Sequence, residues 1–114
     1  MSRVAVYFTW NGVSLDQYDQ VQKAVEWEEN VPEGVVLHVS SHDGQALRIT
    51  DVWESAEDFN TFVNERLMQV TKEIGLTGEP HVEILPLHFL YNSIDGIDED
   101  GMEEFEEEEE EIEA

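Results

Sequence analysis

The chain contains no cysteine. Disulfides, thiolate nucleophiles and Cys-based zinc or iron–sulfur sites are therefore excluded. Basic residues are also scarce: 5 Lys and Arg stand against 28 Asp and Glu, a net charge of −23. Such a surface repels nucleic-acid phosphates and anionic membranes. No apolar run approaches the ~20 residues that a helical bilayer span needs. Val4–Trp10 is too short and interrupted for a signal-peptide core. A cytoplasmic protein without nucleic-acid or membrane partners is expected. Glycine-rich phosphate loops, Walker-type motifs and Ser-His-Asp order signals are missing as well.

Apolar residues make up 40% of the chain, enough for a folded body. The acidity is unevenly placed. Residues 95–114 hold 13 of the 28 acids and no Lys or Arg, which leaves the body at −10. Adaptation to high salt would give a similar composition. We expect one folded domain over residues 1–93 and an acidic, disordered tail over 94–114, with a transient helix around Met102–Ile112. The tail reads as a solubilising extension; Met102, Phe105 and Ile112 are apolar points with which it could instead grip a basic protein partner. Counting from Gly96, Asp98, Asp100, Gly101 and Glu107 echo a calcium loop. Gly96 stands where a carboxylate is needed, so no metal site is expected.

Arg3–Trp10 reads as a first strand, ended by Asn11-Gly12. Ser14 and Gln17 form a capping box for a helix reaching Glu29, with Leu15, Tyr18, Val21 and Val25 as its apolar stripe. Val35–His42 and Gln45–Trp53 are strands joined at Asp43-Gly44, the pair that favours a two-residue hairpin turn. Ser55 caps a second helix, Ala56–Ile74, with Asp58 as its box partner. Phe59, Phe62, Val63, Leu67, Val70 and Ile74 form its stripe, and Gly75 stops it. Glu79–Tyr91 is the last strand, with Pro86 marking an edge position or a bulge.

A two-residue turn sets His38 opposite Ile49 and Val36 opposite Asp51. His38 and Asp51 are then diagonal neighbours on one sheet face, shared with Trp53. A carboxylate beside an imidazole fixes its tautomer and raises its basicity, as a general base requires. His38 and Asp51 are thus the candidate catalytic pair, with Trp53 as an aromatic substrate wall. The competing reading is a core pair in which the two groups only satisfy each other. His42 and His81 read as surface histidines, and His88 as a core or interface one.

The element order β-α-β-β-α-β is the ferredoxin-like α+β pattern: a four-stranded antiparallel sheet with two helices on one face. Both sheet faces read as largely apolar, so a second copy should cover the face without helices. The stretch DVWESAEDFNTFV, from Asp51 to Val63, resembles the strand-to-helix junction of small dimeric α/β-barrel proteins, among them the antibiotic-biosynthesis monooxygenase-like proteins. The resemblance spans roughly residues 3–91.

The resemblance implies a dimeric α/β barrel. It also implies a substrate site for a polycyclic phenol or quinol between sheet and helices, working without a bound cofactor because the substrate carbanion itself activates oxygen. Located by place in the fold, His38 would be the base and Asp51 its orienter. Trp53, Tyr7 and His88 would bind substrate, with Tyr7 or His88 orienting the ring. Haem-degrading relatives ligate iron through a helical histidine, whereas all four histidines here fall on predicted strands. The non-catalytic alternative is a ligand-binding or interaction module that dimerises through the barrel.

Overall fold

The structure, a computed structural model, describes residues 2–93. The tail beyond Ser93 lies outside the described residues, and with it the expectations of disorder, the calcium-loop echo and the apolar points at Met102, Phe105 and Ile112.

Strands β1 (Val4–Asn11), β2 (Val35–His42), β3 (Ala46–Trp53) and β4 (His81–Pro86) form one antiparallel sheet in the order β2-β3-β1-β4. Helix α1 (Leu15–Val25) and a second helical stretch lie across one face. That stretch comprises α2 (Ala56–Phe62), a π-helical turn (Val63–Leu67) and α3 (Met68–Ile74). The ferredoxin-like reading holds. The core gathers where Val6, Phe8 and Trp10 of β1 and Leu47 and Trp53 of β3 meet Val21, Val25, Phe59 and Phe62 of the helices.

The β2–β3 turn differs from expectation. It spans Asp43–Ala46: the Asp43 N–H donates to the Ala46 carbonyl at 3.2 Å. The Asp43 carboxylate accepts from the N–H groups of Gln45 (2.9 Å) and Ala46 (2.8 Å) and from Arg48 (2.8 Å). Those donors, the Gln45 amide first, hold the Asp43 carboxyl well below the usual carboxylate range. A side chain with this many local partners moves the turn one residue along the chain, so that Gly44 and Gln45 stand at its centre in place of Asp43 and Gly44. The pairing slides by two residues, so His38 lies directly opposite Asp51 and Ser40 opposite Ile49. Because the slide is even, side chains from Leu37 onward keep their expected faces, whereas Val35 changes face and lies opposite Trp53. An irregularity between Val35 and Leu37 absorbs one residue.

Two boundaries also move. The last strand is short, ending at Pro86 on the sheet edge, and the ladder continues only as Leu87 N–H to Arg3 carbonyl at 3.0 Å. His88 therefore follows β4. Helix α1 stops at Val25, four residues early, because Glu26 turns left-handed at φ 60°. Glu26 N–H reaches the Lys23 carbonyl (3.1 Å) and Trp27 N–H the Gln22 carbonyl (3.4 Å), which together make a Schellman ending. No glycine announces it. Glu26 carries both a left-handed penalty and a negative charge at the helix's negative end. Glu26→Gly should therefore stabilise the protein by about 1 kcal/mol, read as a higher urea midpoint at unchanged slope.

On the face away from the helices, Tyr7, Leu37, Val39 and Leu85 are between 39% and 49% exposed in the single chain. The face is mixed, since Arg48, Thr50 and Glu83 lie exposed on it too. Its apolar part is smaller than the pattern suggested.

Candidate functional site

The site grows from three neighbouring elements. β2 and β3 bring His38 and Asp51 side by side, and the His38 Nδ1 meets Asp51 Oδ1 at 2.7 Å. Asp51 is buried, with its other oxygen accepting from the Trp53 indole N–H at 3.0 Å. Tyr18, on the second turn of α1, places its hydroxyl 2.9 Å from His38 Nε2. An ionised carboxylate only accepts, so Nδ1 carries the proton and, in the neutral ring, Nε2 accepts from Tyr18. The hydrogen bonds run in one direction: Tyr18 to His38 to Asp51, with Trp53 holding Asp51 from behind.

Trp27 closes the site. The Schellman ending of α1 delivers its indole onto His38, ring centroids 4.2 Å apart and planes at 39°. Phe62 meets the indole edge-on at 5.4 Å. Arg66, in the π-helical turn, fixes both ends of this connection: its guanidinium donates to the Val25 carbonyl at 2.6 Å and to the Asn30 carbonyl at 2.7 Å. It also lies over the Phe62 ring at 5.5 Å. The connection is therefore pinned on either side of residues 26–29.

Between helices and sheet lies a cavity of about 50 Å³. Its lining is almost wholly apolar, including Phe8, Leu47 and Phe62, and Tyr18, His38 and Asp51 form its polar end. Burial raises the Tyr18 pKa above the ordinary phenol value, with Asp51 adding to the rise and a hydrogen bond from Ser40 opposing it. The phenol stays protonated at neutral pH.

The predicted residues separate. His38, Asp51 and Trp53 come together, though Trp53 is fully buried behind Asp51 and packs on Phe59 and Phe62 rather than lining the cavity. The wall position belongs to Trp27. Tyr7 points to the other sheet face, 44% exposed, because residue parity along β1 opposes it to Val6 and Phe8. His88 lies in the exposed segment after Pro86, also away from His38. His42 is not a free surface histidine. It bonds the Val13 carbonyl through Nε2 at 2.7 Å and accepts from Gly44 N–H through Nδ1 at 3.0 Å, tying the turn to the β1–α1 loop. The helices carry no histidine, and among the described residues no three His, Asp or Glu side chains are grouped to hold a metal ion. No helix among them is long and apolar enough to cross a membrane.

No protein-family model and no curated protein sequence matches the chain. Solved structures do. A Nitrosomonas europaea protein of unknown function superposes with a TM-score of 0.64 at 13% identity, covering 81% of this chain and 95% of its own. An antibiotic biosynthesis monooxygenase-type protein from Deinococcus radiodurans gives 0.57 at 16% identity, with 78% and 96% covered. A Streptomyces coelicolor monooxygenase, solved in complex with nanaomycin D, gives 0.52 at 23% identity, with 80% and 91% covered. At these identities the likeness is one of fold: the chain has the α/β-barrel fold of the antibiotic-biosynthesis monooxygenases.

Proposed function

We propose that this protein is a homodimeric, monooxygenase-like α/β-barrel protein that oxidises a hydrophobic aromatic small molecule without a bound cofactor. The observation that carries the reading is the one-directional chain Tyr18 to His38 to Asp51, with Trp53 donating to Asp51 from the other side, at the polar end of an otherwise apolar cavity. A core pair serving only stability needs neither the phenol on its outer nitrogen nor a space beside it. The Streptomyces coelicolor neighbour, with its nanaomycin D, supports the ligand class.

His38 is the base and Asp51 fixes its orientation. A phenol or quinol with an acidic ring CH2 gives up a proton that comes to rest on His38. The resulting carbanion reduces O2: one oxygen atom replaces the two hydrogens as a carbonyl, and the other leaves as water. The chain's task is to hold the ring, take the proton and keep bulk water out. A cavity of 50 Å³ holds only a water or two. An aromatic ring is admitted when Trp27, half-buried above His38, gives way. The exposed apolar side chains of the outer sheet face support dimerisation there.

The test is oxygen uptake with a tricyclic phenol bearing an acidic CH2, comparing wild type with His38→Ala. General-base removal should lower turnover by about 10²–10⁴-fold, while size-exclusion chromatography shows the same oligomer. Equal turnover would remove His38 from the chemistry. Absence of turnover in both proteins, with the ligand bound, would favour the non-catalytic binding module.

A further inference from the structure

Resting on the cavity as a ligand site, we infer that Tyr18, not His38, is the residue that meets the ligand and exchanges a proton with it. Both imidazole nitrogens of His38 are already engaged, Nδ1 with Asp51 at 2.7 Å and Nε2 with Tyr18 at 2.9 Å. A ligand inside the cavity therefore finds no free ring nitrogen. Asp51 is equally committed, to His38 through one oxygen and to Trp53 through the other. What remains at the polar end is the Tyr18 hydroxyl. Its proton is given to His38, which leaves the oxygen lone pairs as acceptors for a donor in the cavity that Tyr18 lines.

A ligand O–H or acidic C–H gives its proton to Tyr18 Oη, and the proton Tyr18 held passes to His38 Nε2. Nδ1–H stays on the ring, facing Asp51. The products are a ligand anion, a neutral Tyr18 and an imidazolium paired with a buried carboxylate. The site's net charge stays at −1: the imidazolium faces Asp51, which keeps its Trp53 donor, and the ligand anion is held by the O–H of Tyr18. Tyr18 is then the catalytic residue, with His38 the proton acceptor behind it and Asp51 and Trp53 positioning residues. The arrangement selects ligands by a hydrogen-bond donor on an aromatic frame. The rest of the cavity is mostly apolar and reads shape, with Gln22 and Thr71 as its other polar side chains.

Paired probes test this with the full chain: 4-nitrophenol, which donates and whose phenolate absorbs in the visible, and 4-nitroanisole, its methyl ether, which cannot donate. Wild type should prefer the phenol by about tenfold, the worth of one net hydrogen bond, and should raise its ionised fraction on binding. Tyr18→Phe, which keeps the ring and its packing, should bind both probes alike and no longer promote ionisation. His38→Gln should keep the preference for the phenol and lose the ionisation, since the contact survives and the acceptor does not. If Tyr18→Phe keeps the preference and His38→Gln abolishes it, the ligand meets His38 directly. The inference then falls while the proposed function stands. If neither probe binds wild type, the ligand site itself is refuted, and the role of Tyr18 with it.

Discussion

Trp53→Ala is expected to cost about 3–5 kcal/mol. Trp53 has no exposed surface, and among the described residues Val6 is the other large side chain buried as completely. It packs against Phe59 and Phe62 at centroid separations of 5.6 and 5.5 Å, which ties β3 to the first turns of α2. Removing the indole leaves a large void in a small core and strips Asp51 of one donor. Domains of this size hold about 5–15 kcal/mol in total, so the variant should lose much of its margin. Trp53→Phe separates the two effects. It keeps an aromatic ring in the core and loses the N–H together with part of the indole's volume, leaving Asp51 Oδ2 buried without that donor, at about 1–3 kcal/mol for the donor alone. Urea denaturation of both variants provides the comparison. If Trp53→Phe matches wild type, the indole N–H has no hold on Asp51, and the last link of the hydrogen-bond chain is only packing.

The fold was legible because its signals were local. Ser14 with Gln17 forms the capping box that the spacing predicts. Ser55 Oγ accepts the Asp58 N–H at 3.1 Å, as an N-cap should. Gly75 turns left-handed at φ 91° where helix α3 ends. The sheet faces were legible for a subtler reason. A misjudged turn displaced the register by two residues, and the period of a strand is two, so beyond the irregularity at Val35 the partners changed and the faces did not. An error of one residue would have put His38 and Asp51 on opposite faces.

The site was half legible. His38 and Asp51 share a face by alternation alone, and Trp53 follows from the same count. Tyr18 and Trp27 were visible as residues but not as parts of the site. Tyr18 belongs to the stripe of α1, and periodicity says only that it faces the sheet. Which strand residue it meets depends on how the helix crosses, a packing matter. Trp27 was hidden by Glu26: with no glycine to mark the stop, the helix reads as running on to Glu29, and Trp27 becomes one more helical position. An aromatic residue just past the last apolar stripe residue, Val25, was the available clue, since the Schellman ending favours an apolar side chain there. Tyr7 was misplaced through its chemistry. A tyrosine on a core strand invites a ligand role, but parity with Val6 and Phe8 already sent it to the other face.

Gly34→Ala should cost about 3 kcal/mol, far more than its size suggests. Gly34 has φ +93°, where any Cβ is strained by about 1–2 kcal/mol. It also has no room: an added Cβ would run into the Cβ, Cγ and Oδ2 of Asp58. Overpacking of this kind adds about 1–3 kcal/mol. Asp58 cannot retreat, because its backbone is held in the first turn of α2 by Ser55. Shortening Asp58 to Ala would not help either, since its Cβ is one of the atoms met. Gly44→Ala and Gly75→Ala provide the control. Both positions have similar φ, +97° and +91°, and an added Cβ at either meets open space. They should lose only the conformational part, so the excess at Gly34 measures the collision. The collision bears on the site as well. Gly34 accepts the Glu54 N–H at 2.7 Å, immediately before β2 begins at Val35, and β2 carries His38 to Asp51. Pushing residue 34 off the helix should loosen that strand start. The His38 imidazole resonances in Gly34→Ala should then show a weaker Nδ1–H to Asp51 bond, whereas those in Gly44→Ala and Gly75→Ala should match wild type. Equal losses in all three glycine variants would mean that the loop yields to Asp58 without strain, and that β2 is positioned from the hairpin end alone.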